Sequence, residues 1–394
     1  MPEQRYFYFL SDDPEPVSDN RLLWTTALPL SRHQQTHSEA APAHKNLTYG
    51  EFFEALSLFV DSHLSDFIIK YFFRSEKRVI NPHEISRIHI HLEKHGLFYH
   101  PARIILFLPD CQIALVANVA VSRAGKDLIR NEYRLLEQLA EQISPAWVPR
   151  VFGCDRIQID RQRHVLVFVG EWFEDFHEFH VSDKTGPGET NIRVWDPNNE
   201  NLFLTRLQAQ HVFEQTAMIL TAYYDIGTFE RISRWHHAAG DFVVCLRQDI
   251  PRVKLITVRA YEPLFNLSGE SIEMETILNT LLIFYLNLTL LLRIDRMDGI
   301  GDMVWIEADV VKAITSGFFK GLSSQAENTV IPAELIDVFK TFLLRIPETD
   351  IREIFMGIVD KIDPKSPDLT VIKQNIDSHV ETVLSELGQI KTLM

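Results

Sequence analysis

The chain has 394 residues, of which 46% are hydrophobic, 24% charged and 11% aromatic. That composition excludes collagen-like, disulfide-rich and wholly disordered classes, and at roughly 100–200 residues per domain it gives two or three folding units. A formal net charge of −15 is at odds with the basic surface that supplies most nucleic-acid affinity, so no nucleic-acid partner is expected.

Cys111, Cys154 and Cys245 lie far apart and form no CxxC pair, which argues against a zinc ribbon or a disulfide framework and fits a cytoplasmic setting. Met1-Pro2-Glu3-Gln4-Arg5 lacks the basic-then-apolar build of a signal peptide. Residues 1–46, rich in Pro, Ser, His and Gln from Ser11 onward, show no period and read as an irregular arm. Over 47–83 a helix is expected: Thr48 and Glu51 have capping-box spacing, and Phe52, Leu56, Phe59, Val60, Leu64 and Phe67 follow at helical intervals. That stripe needs a cover, either its own domain or the same stripe of a second copy in a homodimer built on the 48–73 helix.

From Glu84 the pattern turns to strands. Ile88, Ile90 and Leu92 alternate with His89, His91 and Glu93, and the β-prone runs Arg103–Leu108 and Gln112–Val121 flank Pro109-Asp110. An amphipathic helix over Lys126–Gln142 follows, then strands over Val151–Ile159 and His164–Val169. After Gly170 the chain becomes largely helical: Asn201–Ile226, a hairpin over 241–258, then helices near 272–294, 307–322, 333–344, 349–362 and 370–387. The stretch Thr276–Leu292 carries no charge but falls short of the roughly 20 apolar residues of a spanning helix. It reads as a buried helix, and no membrane span is expected.

Three strands, a helix, two strands, a long helix, a hairpin and more helices make an order that resembles the two-lobed protein-kinase-like fold, in its aminoglycoside-phosphotransferase-like branch. The resemblance implies an α+β protein with a small antiparallel N-lobe over 84–170, a helical C-lobe over 171–394 and an N-terminal helical extension. Val169-Gly170-Glu171-Trp172 would be the hinge, placing Glu171 and Trp172 beside a nucleotide. The active-site motifs are degenerate. Leu92-Glu93-Lys94-His95-Gly96 has a single glycine where a phosphate-cradling loop should be. The third strand reads Ala114-Leu115-Val116-Ala117-Asn118-Val119-Ala120-Val121, with no lysine to pair phosphates; Lys126 lies beyond it. Glu132 falls on the buried stripe of the following helix, either as a remnant of the nucleotide site or as the partner of Arg130 or Arg134.

The segment Arg234-Trp235-His236-His237-Ala238-Ala239-Gly240-Asp241 stands where a kinase catalytic loop would. Asp241 falls at the metal-binding asparagine and His236 at the catalytic aspartate, so Asp241 would hold Mg²⁺ and His236 or His237 would accept a hydroxyl proton. A tight Gly-Asp turn with two packed histidines is the structural alternative. In the strand Val253–Tyr261, Thr257 stands where the second metal aspartate belongs, and Arg259 would contact a phosphate. The strand lysine, the catalytic aspartate and the second metal aspartate are all replaced, which implies a pseudokinase-like protein binding a protein partner or a small-molecule ligand. The other reading is an atypical phosphotransferase that uses ATP and Mg²⁺ on a small hydroxylated or aminated substrate.

Three further constellations read as structural. His89, His91, Glu93 and His95 share a strand face but extend too far for one ion. His177 and His180 flank Glu178 with no third ligand in sequence. Asp295, Asp298 and Asp302, around Gly299 and Gly301, superficially resemble a Ca²⁺ loop without its closing glutamate.

Overall fold

A computed structural model describes residues 5–393 apart from 12, 19–21, 30–42, 76–80, 97, 144–145, 184–190, 198–201, 234, 236–239, 249, 266–272 and 329. The fold is α+β, and its contacts divide the chain into two units, Met1–Glu174 and Asp175–Met394.

In chain order the first unit contains β1 (Tyr6–Leu10), α1 (Leu22–Thr25), β2 (Ala27–Pro29), β3 (Ala43–Thr48), α2 (Tyr49–Ser75), β4 (Arg87–Leu92) and β5 (His100–Phe107). It continues with β6 (Gln112–Ala120), α3 (Arg123–Gln142), β7 (Val151–Gln158) and β8 (His164–Glu171). Its sheet has the order β1-β4-β5-β6-β8-β7. Only β1 lies parallel to its neighbour; the other pairs are antiparallel.

Strict alternation in β4 and β5 turns Ile88, Ile90, Ala102, Ile104 and Leu106 to one face. The α2 stripe joins the same core through Phe52, Leu56, Phe59 and Phe67. Each such side chain contributes about 1.5–3 kcal/mol on full burial, so packing rather than helix propensity holds α2 in place. Over its described side chains, as far as Phe67, the stripe is thus covered within its own unit. The run Val165–Gly170 is buried throughout because both faces of β8 are covered. Val165, Val167 and Val169 belong to the α2 side, while Phe168 meets Tyr133 of α3 with ring centroids 6.2 Å apart.

The arm is not irregular throughout, as composition suggested. Tyr6–Leu10 is an edge strand in register with Ile88–Leu92, and β2 pairs with β3. A continuous aromatic run with a partner some eighty positions away has no period to betray it.

The second unit opens with two short strands, β9 (Phe179–Val181) and β10 (Ile192–Val194), paired antiparallel. Then come α4 (Arg206–Ala222), β11 (Glu230–Ser233), β12 (Phe242–Cys245), β13 (Arg252–Leu255) and β14 (Ala260–Pro263). Here β12 pairs with β13 and β11 with β14. After α5 (Met274–Leu291) a pair formed by β15 (Ile294–Arg296) and β16 (Met303–Trp305) precedes α6 (Val310–Glu327), α7 (Glu334–Arg345), α8 (Glu348–Asp360) and α9 (Asp368–Leu393).

Helix α4 starts later than the expected Asn201, because Thr205 and Gln208 cap each other: the Gln208 N–H donates to Thr205 Oγ1 at 3.3 Å and the Thr205 N–H to Gln208 Oε1 at 2.9 Å. It packs on α6, where Glu214 accepts from Ser316 Oγ at 2.6 Å and Lys320 Nζ at 2.5 Å. Among the described residues α5 is the one helix long and apolar enough to cross a membrane by length and composition. More than half of it is buried in this unit, through residues such as Leu281, Tyr285, Leu286 and Leu290.

Candidate functional site

One turn of the second unit carries a deeply buried carboxylate. Gly240 sits at φ +68°, a left-handed conformation that glycine adopts without steric cost. The space is closed as well: a Cβ there would lie 2.6 Å from the Glu178 carboxylate carbon. Asp241 follows, immediately before β12, whose four residues are all buried. The strand therefore carries the Asp241 side chain inward, and Asp241 is 1% exposed.

An isolated carboxylate at that depth would be costly, and Arg259 supplies the counter-charge. Its Nη2–H donates to Asp241 Oδ1 at 2.6 Å and its Nη1–H to Oδ2. Two parallel charge-assisted bonds of this kind are the strong form of an arginine–carboxylate pair. The Ile256 N–H, donating to the Asp241 carbonyl at 2.8 Å, fastens the same turn to the chain leaving β13.

A second charged group adjoins through Glu178. His180, on β9, is 3% exposed, and Asp295, on β15, is fully buried. The His180 Nδ1 lies 3.0 Å from Asp295 Oδ1, and its Nε2 lies 3.8 Å from Glu178 Oε2. Asp295 also accepts the Val181 N–H and the Arg296 N–H, each at 2.7 Å. Burial by itself would drive the His180 imidazole down. The Asp295 and Glu178 carboxylates outweigh burial and raise it from an ordinary 6.5 to about 9. The ring is thus an imidazolium at neutral pH, a proton already in place rather than a base waiting for one. Gly299, at φ +72°, closes over it: a Cβ there would fall 2.8 Å from His180 Cδ2.

The expected site residues divide between the units. Asp241 and Arg259 belong to the second and are brought together, although they were expected on a metal and on a phosphate respectively. His236 and His237 lie outside the described residues. Glu132, Glu171 and Trp172 belong to the first unit. Glu132 is buried on α3, at 1% exposure, but neither arginine expected beside it turns to it. Arg130 bonds Asp127 at 3.2 Å and Arg134 bonds Asn131 at 3.1 Å. Glu171 ends β8 in an ion pair with Arg150 at 3.3 Å, and Trp172 lies under the Arg103 guanidinium, 5.3 Å from ring centroid to carbon.

Sequence reasoning marked His180 and Glu178 but missed their partner. Asp295 was visible only as one of three loop aspartates; nothing in the local pattern ties it to a histidine 115 positions earlier. The strand histidines are packing groups: His91 stacks on Phe9 at 4.4 Å, and Glu93 pairs with Arg103 at 2.8 Å.

Among the described residues, both Asp241 oxygens are engaged by the Arg259 guanidinium. Among the described residues no group of three or more His, Cys, Asp or Glu side chains could hold an ion.

No protein-family model matches the chain, and no curated protein matches it. Among solved structures the chain is similar to one described as "WaaP in complex with acyl carrier protein", at 9% identity and a TM-score of 0.24, over 61% of this chain and 83% of that one. A likeness of that size carries no argument for fold or chemistry. What the observations establish is an α+β chain of two units, the second containing the ion pairs Asp241–Arg259 and His180–Asp295.

Proposed function

We propose that the chain is a kinase-like protein with a degenerate active site, one that works by binding a partner or small ligand rather than by transferring phosphate. The element order that resembles the kinase-like fold supports the architecture: a three-strand meander, a helix and two further strands in the first unit, then a helix and a hairpin in the second. The observation that carries the loss of catalysis is the bidentate Asp241–Arg259 pair. Phosphoryl transfer depends almost wholly on positioned charge and on Mg²⁺ held by carboxylates. In this chain the acid at the metal position is neutralised by an arginine, and the residue at the second metal position is Thr257. A cytoplasmic setting belongs to the same proposal.

Calorimetric titration of the full chain with ATP, with and without Mg²⁺, tests it. The expected result is no Mg²⁺-dependent binding, and no change when Arg259→Ala frees the Asp241 carboxylate. Micromolar binding that requires Mg²⁺ and disappears in Asp241→Ala would overturn the reading in favour of an active phosphotransferase.

A further inference from the structure

Helix α3 begins against its own dipole. Its first turn contains no acid, and Arg123 and Lys126 bring positive charge to the end that already carries the helix's positive pole. Arg130 and Arg134 continue the row, and steps of three and four residues set all four cations on one face. Lys126 with Arg130, and Arg130 with Arg134, are like-charged pairs at i,i+4, which weaken a helix. Arg156 joins from β7. The strand's alternation turns it to the α3 side of the sheet with Cys154, which opposes Phe168, while Asp155 turns the other way to His63 at 3.4 Å. Arg123, Arg130, Arg134 and Arg156 are exposed and Lys126 is half-buried. Burial, then the Arg156 charge, holds the Lys126 ammonium below its usual range. Among the described residues Asp127 is the one carboxylate that pairs with any of the five, meeting Arg130 at 3.2 Å. Arg134 and Arg156 reach only the amides of Asn131 and Gln158, each at 3.1 Å. An aromatic stands at the head of the row. A Cβ on Gly125 would lie 2.1 Å from the Phe98 carbonyl oxygen, so the chain before β5 crosses directly over this end of α3. Phe98 is 44% exposed there.

We propose that this face of α3 docks an acidic segment of a partner protein, with carboxylates along Arg123, Lys126, Arg130 and Arg134 and an apolar residue against Phe98. Repulsion within the row costs the free chain stability, and a line of carboxylates relieves it. Arginine and aromatic side chains are also the residues that dominate binding at protein interfaces. The row is ~16 Å long at the helical rise per residue, which sets the span of the partner segment. Its surroundings favour a short segment over an extended polyanion. Asp127 stands inside the row, and Glu137 and Glu141 follow it, both exposed. A nucleic acid or an anionic bilayer would cover these acids too and meet a chain of net charge −15; a few carboxylates stop short of them. Neither Asp241 nor Arg259 takes part, and the surface stands whether or not the chain is kinase-like.

The test is fluorescence anisotropy of the full chain with a labelled peptide of about ten residues, glutamates around a central leucine, long enough to follow the row. Binding at low salt is expected to exceed that of the same peptide built with lysine, and to weaken steeply as NaCl is added. Arg130→Gln combined with Arg134→Gln should weaken it about tenfold, the loss of two exposed charge contacts. Phe98→Ala should remove the advantage of leucine over serine at the central position. Lys365→Gln combined with Lys373→Gln, exposed lysines of the other unit, should change nothing. Unchanged thermal melting shows that the Arg130 and Arg134 double variant is folded. Three outcomes would each overturn the proposal: no binding of the glutamate peptide at low salt, binding undiminished in that double variant, or tighter binding of a single-stranded oligonucleotide or of vesicles of equal phosphatidylcholine and phosphatidylserine.

Discussion

The buried His180 imidazolium makes stability depend on pH in the direction opposite to acid denaturation. Its folded-state value of about 9 exceeds the ordinary 6.5, so folding takes up a proton between those limits. The stabilisation is complete below pH 6.5 and is lost as pH rises through about 9. Urea denaturation of the full chain should show unfolding free energy falling across that window, with a slope approaching about 1.4 kcal/mol per pH unit. His180→Gln should flatten it; an equal slope in the variant would refute the assignment. The same residues show how far a site can be read from sequence. The place of Asp241, on a Gly-Asp turn before an apolar run, was legible from local pattern alone. Its union with Arg259 was not, because a carboxylate and a guanidinium look equally free in sequence whether they face a ligand or each other. The joining of Asp295 to His180 depends on β15 coming beside β9, a tertiary fact that no spacing records.

Elements with one buried face were legible and those held by distant partners were not. The capping box of Thr48 and Glu51 forms as expected, with the Thr48 N–H donating to Glu51 Oε2 at 2.9 Å, and the α2 stripe is buried as its period required. The helix α9 shows what period leaves out. Its apolar side carries His379, which is fully buried. There Arg293 Nη1–H donates to Nδ1 at 3.1 Å, and Nε2 lies 3.3 Å from Thr289 Oγ1 of α5. Burial, and then the Arg293 charge, holds this imidazole down at about 3, so it is neutral in the fold and acts as a hydrogen-bonded peg between α9 and the rest of the unit. His379→Ala should cost about 2–4 kcal/mol in urea denaturation, from the cavity and from the polar groups left behind. The difference from the parent chain should shrink as pH falls from 6.5 toward 3, where the neutral native ring is penalised. A cost below about 0.5 kcal/mol, the level of ordinary surface substitutions, would show that α9 does not need the peg.

At the scale of the molecule, composition was informative about class and silent about assignment. The net charge of −15 and the uncharged stretch Thr276–Leu292 are both plain in the sequence, yet only the fold shows α5 packed among Leu, Phe and Tyr side chains of its own unit. The parallel strand β1 has a consequence of its own. It occupies the outer hydrogen-bonding row of β4 along all of Ile88–Leu92, and its far side is partly closed by Val17, whose N–H donates to the Tyr8 carbonyl at 2.7 Å. Tyr6–Leu10, backed by Val17, therefore acts as a guard for a sheet that would otherwise offer a straight, unpaired backbone to any extended peptide, including the same segment of another molecule. Deleting residues 1–18 should leave helix content largely intact by circular dichroism while light scattering grows with time and protein concentration. A synthetic Tyr6–Leu10 peptide added in excess should slow that growth by taking back the vacated row; a truncated chain that stays monodisperse would mean that the guard is dispensable.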